Sequence, residues 1–242
     1  MSWFQRNNSV VTTPGRPRST ALAVEQLETR DLLSGATFAV ATGIVNSTES
    51  LRDFVTSEYQ AFLGRAPDSV GLQAWMNLLN SGASPEFVEA GIVSSNEYIA
   101  IHGNNATQWL TGLYNDLLGR APDAAGLNAW LNALASGMST NQIAQFFASS
   151  VEREAIIITN DYTGFLGRAP EAGAVNTWLM FEAQGHGRAD VASQILASDE
   201  FFRDHSNLPS SFIVGVYQDV LNRTPSQAEI NIWLTVYNQN LP

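Results

Sequence analysis

The chain has 242 residues, 45% of them apolar, and a formal charge of −11 from twelve basic and twenty-three acidic residues, which is enough to bury a core without disulfide or metal staples. It has no cysteine and every basic residue is arginine, so disulfides, thiolate metal sites, cysteine nucleophiles, Schiff-base lysines and the lysine of a phosphate-binding loop are all excluded. An acidic body repels a phosphate backbone, which argues against nucleic acid and anionic membranes as partners, and no apolar run is long enough to span a bilayer.

Residues 1–20 are rich in Ser, Thr, Asn, Pro and Arg and carry no acid, a composition that reads as disordered. The apolar stretch from Leu32 to Ala41 follows, and its Ala39-x-Ala41 pattern is one that signal peptidase accepts. Residues 1–41 are therefore assigned to a disordered leader or an export signal, since both fit the composition. The phrase from Val24 to Ser34, VEQLETRDLLS, resembles the L-E-x-R-x-L-L-S segment near the N-terminus of secreted proteins from planctomycete bacteria. That resemblance implies an extracellular or cell-surface destination.

The stretch YQAFLGRAPDSVGLQAW, from Tyr59 to Trp75, returns three times, beginning at Tyr114, Tyr162 and Tyr217. Each copy carries an arginine (Arg65, Arg120, Arg168, Arg223), a proline two residues later, and a tryptophan sixteen residues after the tyrosine (Trp75, Trp130, Trp178, Trp233). Ser-x-Glu closes the first three copies, ending at Glu97, Glu152 and Glu200. The tyrosine-to-tyrosine offsets are 55, 48 and 55, and the variation lies wholly in the links between modules.

Apolar spacing makes the repeat helical, as in Leu110, Leu113, Tyr114, Leu117 and Leu118 on one face. A first helix ends at Gly64, Gly119, Gly167 or Asn222, residues that tolerate a left-handed C-terminal conformation. A second is predicted to start from Asp68, Asp123, Glu171 or Ser226, and a third from Ser84-Pro85 or Ser139 with Gln142, which are N-cap signals. Modules two and three are predicted to share one continuous helix, because residues 155–162 contain no turn signal. The expected organisation is repeats at 50–104, 105–154 and 155–206, with a half repeat at 207–242 serving as a cap. The fold class is all-α, with three full and one half helical modules in tandem array.

The spacing Y-x3-LGR-x-PD-x2-GL-x2-W followed by S-x-E resembles the bacterial domain of unknown function numbered four-two-one-four. This extracellular helical repeat is distantly similar to phycobilisome linker domains, and the resemblance covers roughly residues 50–242. It implies surface association or adhesion and supplies no catalytic residues.

The arginines could face an anionic ligand or glycan, but pairing within each module, Arg65 to Glu97, Arg120 to Glu152 and Arg168 to Glu200, is the favoured reading. Arg223 has no closing glutamate in its own copy and is the candidate for a free ligand contact. The four tryptophans and Tyr59, Tyr114, Tyr162 and Tyr217 are expected in the core, while Trp109, outside the repeat, is the candidate surface aromatic. His102 and His205 suit last-turn positions facing a helix C-terminus. No clustered metal-ligand spacing, nucleophile elbow, EF-hand loop or dinucleotide fingerprint is present, so no cofactor, metal or catalytic residue is assigned, and calcium has no motif behind it.

These features lead to a non-enzymatic, extracellular, surface-associated interaction module, binding cell-surface polysaccharide or, in the alternative, another extracellular protein or itself. A glycosidase-like enzyme stands third, because every recurring acid already has a cap or a bridge to serve.

Overall fold

A computed structural model describes residues 35–241, and within them the chain forms fourteen helices and no strand. They are α1 (Gly35–Val45), α2 (Thr48–Leu63), α3 (Ser69–Asn80), α4 (Pro85–Val93), α5 (Asn96–Ile101), α6 (Ala106–Leu118), α7 (Ala124–Ala135), α8 (Thr140–Ala148), α9 (Val151–Leu166), α10 (Ala174–Ala183), α11 (Arg188–Leu196), α12 (Asp199–Asp204), α13 (Pro209–Leu221) and α14 (Gln227–Gln239). The arm and the planctomycete-like phrase lie outside the described residues.

Local chemistry sets the boundaries. The helices that carry each tyrosine stop at Gly64, Gly119, Gly167 and Asn222, with φ of 67°, 66°, 62° and 50°, the left-handed conformation that glycine and asparagine reach at least cost. Asp68, Asp123 and Ser226 cap α3, α7 and α14 through their side-chain oxygens, with a reciprocal capping box between Ser226 and Glu229. Glu171 does not cap its helix: α10 starts later, behind a left-handed Gly173, and Glu171 instead accepts from Arg168 at 2.8 Å. Its longer side chain reaches back to the guanidinium. Each Ser-x-Glu turns out to open a helix, since Ser95, Ser150 and Ser198 each accept the amide three residues on at 3.2 Å.

The chain divides into two compact units, residues 51–157 and residues 35–50 with 158–241, and the divisions fall inside α2 and α9. Each unit pairs two modules through their third helices. In the first, α4 packs on α8 and α6 packs on α7 and α8, around Leu110, Leu113, Leu117, Ile143 and Phe147. In the second, α11 packs on α1, and α1 also covers α13 and α14. Residues 103 apart correspond between the units, Tyr59 with Tyr162 and Tyr114 with Tyr217.

The helix α1 therefore does what α4 does in module one, and it completes the half repeat at the C-terminus. Trp75 rests on Gly91 of α4, where a β-carbon would come within 2.4 Å of the indole; Trp233 rests on Gly43 of α1, with 2.6 Å for the same contact. Ala36, Val40, Ala41, Ile44 and Val45 are all buried. Ala36, Thr37, Val40 and Ala41 of the apolar stretch are thus core, and cleavage after Ala41 would remove most of α1. An h-region and a core helix share the same composition; only the presence of a surface to cover tells them apart.

The tryptophans are less buried than their spacing suggests. Trp178 is buried, but Trp75, Trp130 and Trp233 are half-buried, and no residue of α7 is fully covered. Ile44→Ala should destabilise the fold by about 2–5 kcal/mol, as a truncation in a packed core does. Urea unfolding reads this directly, and a neutral result would mean that α1 does not close module four.

Candidate functional site

The recurring polar residues assemble into one cluster per module. Arg65 donates through Nε and Nη2 to the two oxygens of Glu97, both at 2.6 Å. Arg120 makes the same fork with Glu152 at 2.5 and 2.8 Å, and Arg168 with Glu200 at 2.7 and 2.5 Å. Each guanidinium also lies over the ring of its module's tyrosine, at 4.9–5.3 Å from the centroid, where the ring's negative face attracts the cation. The indole N–H donates to the tyrosine hydroxyl in three modules, Trp75 to Tyr59 at 3.0 Å, Trp178 to Tyr162 at 2.9 Å and Trp233 to Tyr217 at 2.8 Å.

The fourth arginine is not free. Arg223 donates to Glu49 at 2.5 and 2.7 Å, and to Glu229 at 2.6 and 3.2 Å. Its missing glutamate stands at the other end of the chain, in Ser47-Thr48-Glu49, and Ser47 accepts the amide of Ser50 at 3.2 Å as its three counterparts do. A sequence signal for this existed: Ser47 precedes Tyr59 by twelve residues, the same distance as Ser150 before Tyr162. Trp109 is likewise not a surface residue. It is 1% exposed and its indole donates to the Val93 carbonyl at 2.8 Å, because its position on α6 faces the α4–α8 core.

Two further clusters escaped sequence reasoning. Arg153 and Glu89 form an ion pair with both side chains 1% exposed, and Arg153 also donates to the Leu117 carbonyl at 3.0 Å. One guanidinium thereby joins α4 and α9 and satisfies an end carbonyl of α6. The corresponding residues of the second unit are Ser50 and Ala192, so the pair is a local packing solution. Near the end of α5, the Tyr98 hydroxyl donates to Asp116 at 2.8 Å, and His102 Nε2 lies 3.2 Å from the same oxygen. Burial, then the charge of Asp116, pushes the Tyr98 hydroxyl far above its ordinary range. In the second unit a phenylalanine, Phe201, replaces Tyr98, and His205 Nδ1 contacts the Phe201 carbonyl at 2.8 Å. Both histidines cap a short helix at its C-terminus, as the spacing predicts.

The carboxylate shifts belong to the caps and bridges. Hydrogen bonds from Arg65 and Arg120 hold Glu97 and Glu152 below the usual carboxylate range, and the Gly71 and Gly126 amides do the same for Asp68 and Asp123. Glu229 falls furthest, to about 2, held by Arg223 first and then by the amide and hydroxyl of Ser226. These groups accept hydrogen bonds and carry charge within the module; they are not paired with a nucleophile. Among the described residues no group of three or more His, Asp or Glu is placed to hold a metal ion. No helix among them is long and apolar enough to cross a membrane.

Paired three-helix modules joined by arginine forks define a class, the all-α tandem repeat. More particularly, the chain belongs to the family described as Domain of unknown function (DUF4214), whose model matches at residues 32–102, 89–157 and 192–241. The first match opens ahead of α1, so it includes the helix that closes module four. No curated protein and no solved structure matches the chain.

Glu89→Ala should cost about 3–5 kcal/mol, because it leaves the Arg153 guanidinium buried without its carboxylate. Chemical denaturation measures this, and a cost under about 1 kcal/mol would show that water reaches the site. Glu97, Glu152 and Glu229 titrate lower in the fold than in the unfolded chain, so their bridges stabilise the fold in full above about pH 4.5 and lose that contribution as the pH falls toward 2. The thermal midpoint should therefore be flat near neutrality and fall through that acid window. A midpoint at pH about 3 equal to that at pH 7 would contradict the bridges.

Proposed function

We propose that this chain is a non-enzymatic binding module that works outside the cell at a surface, attaching to cell-surface polysaccharide without turnover. One observation carries the reading: the residues that recur most regularly are used within the modules. Arg65, Arg120, Arg168 and Arg223 are all held by glutamates. An active site concentrates shifted groups around a reacting centre, whereas here the shifted arginines are spread over four equivalent module joints. The planctomycete-like N-terminal phrase supports the extracellular location. The recurring arginines are not the ligand contacts in this reading; recognition falls to side chains left on the surface.

A second reading, a scaffold whose partner is a protein or another copy of the chain, is favoured by the exposed apolar residues Val70, Val151, Met180 and Ile232. Pulldown of the full chain on envelope fractions separates the two. Retention that survives protease treatment of the envelope and disappears after periodate oxidation of its sugars supports polysaccharide attachment. Retention lost to protease, or concentration-dependent sedimentation without envelope, supports the scaffold. No retention and no assembly would count against both.

A further inference from the structure

Module two breaks the pattern of the other three at one place. Its indole, Trp130, does not donate to Tyr114, and among the described residues neither Trp130 Nε1 nor the Tyr114 hydroxyl has a hydrogen-bond partner. Neither atom is sealed from solvent. The facing helix differs as well. Where modules one and four have Gly91 and Gly43 against the indole and module three has Gln194, module two has Phe146 on α8. Phe146 is 56% exposed, and its ring lies 5.9 Å from that of Trp130, tilted by 37°. Beneath them the buried Phe147 supports the indole at 5.4 Å.

The surroundings are chemically uniform. No charged residue and no histidine stands between Asp123 and Glu152, a span that contains all of α7 and α8 in an otherwise acidic chain. Gln142 and Ser149, both exposed, stand one helical turn before and after Phe146. The Gln142 carbonyl oxygen accepts the Ser139 amide, which leaves its amide nitrogen as a donor. The surface thus offers two adjoining aromatic rings, an unused indole donor, an unused phenol and an amide; α7 and α8 bring no charge to it, and the nearest charges, Arg120 over the Tyr114 ring and Asp123 beside the Tyr114 hydroxyl, stand at its edge.

From these we infer that the α7–α8 face around Trp130 and Phe146 binds a neutral polysaccharide, with a sugar ring stacked on the aromatic pair and its hydroxyls bonded to Trp130 Nε1, the Tyr114 hydroxyl and Gln142. The inference rests on the polysaccharide reading above and gives it a place and a ligand class. Aromatic faces supply area to the C–H face of a sugar, and hydroxyls and amides both donate and accept. An anionic glycan would find the nearest cation, Arg120, already held by Glu152 and would be repelled by the net charge of the chain.

Native electrophoresis of the full chain through gels containing hydroxyethyl cellulose, mannan or dextran sulfate tests this. At least one neutral polymer should retard the chain and dextran sulfate should not. Phe146→Ala should weaken the retardation at least about tenfold with an unchanged thermal midpoint, as loss of an exposed aromatic anchor does. Trp130→Phe, which keeps a ring and removes the donor, should also weaken it. Retardation by no neutral polymer, undiminished retardation of Phe146→Ala, or self-association that Phe146→Ala abolishes would each overturn the inference. Envelope retention that survives Phe146→Ala would overturn this site and leave the polysaccharide reading standing, whereas no envelope retention of the unaltered chain would remove the reading itself.

Discussion

The fold depends on a single repeated contact, the forked bond between an arginine just past a helix C-terminus and a glutamate in the first turn of a later helix. The geometry is constrained at both ends. The left-handed residue before the arginine turns the chain so that the guanidinium lies over a tyrosine ring, and a serine cap fixes the helix on which the glutamate rides. With two parallel N–H donors, the fork specifies an orientation as well as a distance. At the exposed joints of modules one and two its contribution to stability is small, because solvent screens it; its effect there is on register. The energy comes from the apolar helices that the joints align.

The variation among the modules shows which parts are interchangeable. A caps-and-bridges role is filled by aspartate at positions 68 and 123 and by serine at 226, and is reassigned at 171, where glutamate joins the arginine fork instead. The core of the first unit contains an arginine–glutamate pair where the second has serine and alanine. Such substitutions preserve packing and satisfaction of polar groups while changing the chemistry, which is what a structural role permits and a reactive one does not. Module two is different in kind. There the indole has no partner, and with an exposed phenylalanine on the facing helix it leaves donors and rings on the surface.

Much of this was legible in the chain itself. Helix ends followed from glycine, asparagine, serine and aspartate at fixed offsets, and three of the four arginine forks followed from the common distance between arginine and glutamate. The fourth was not found, although the twelve-residue spacing from Ser47 to Tyr59 pointed to it, because Arg223 and Glu49 lie 174 residues apart. Burial was misjudged in both directions. Trp109 was expected at the surface for standing outside the repeat, and Trp130 in the core for standing within it. An indole's exposure depends on which helix faces it, and that helix is set by long-range packing.

Local pattern accounts for the helical modules, most of their caps and three of the four arginine forks, because those contacts recur at short, constant separations along one chain. Tertiary packing adds that α1 is the missing third helix of module four, that its apolar side chains are core, and that one aromatic pair is left open to solvent. Each of those outcomes requires knowing which surface comes to lie against a given side chain, and an amphipathic pattern states that a face will be covered without naming what covers it.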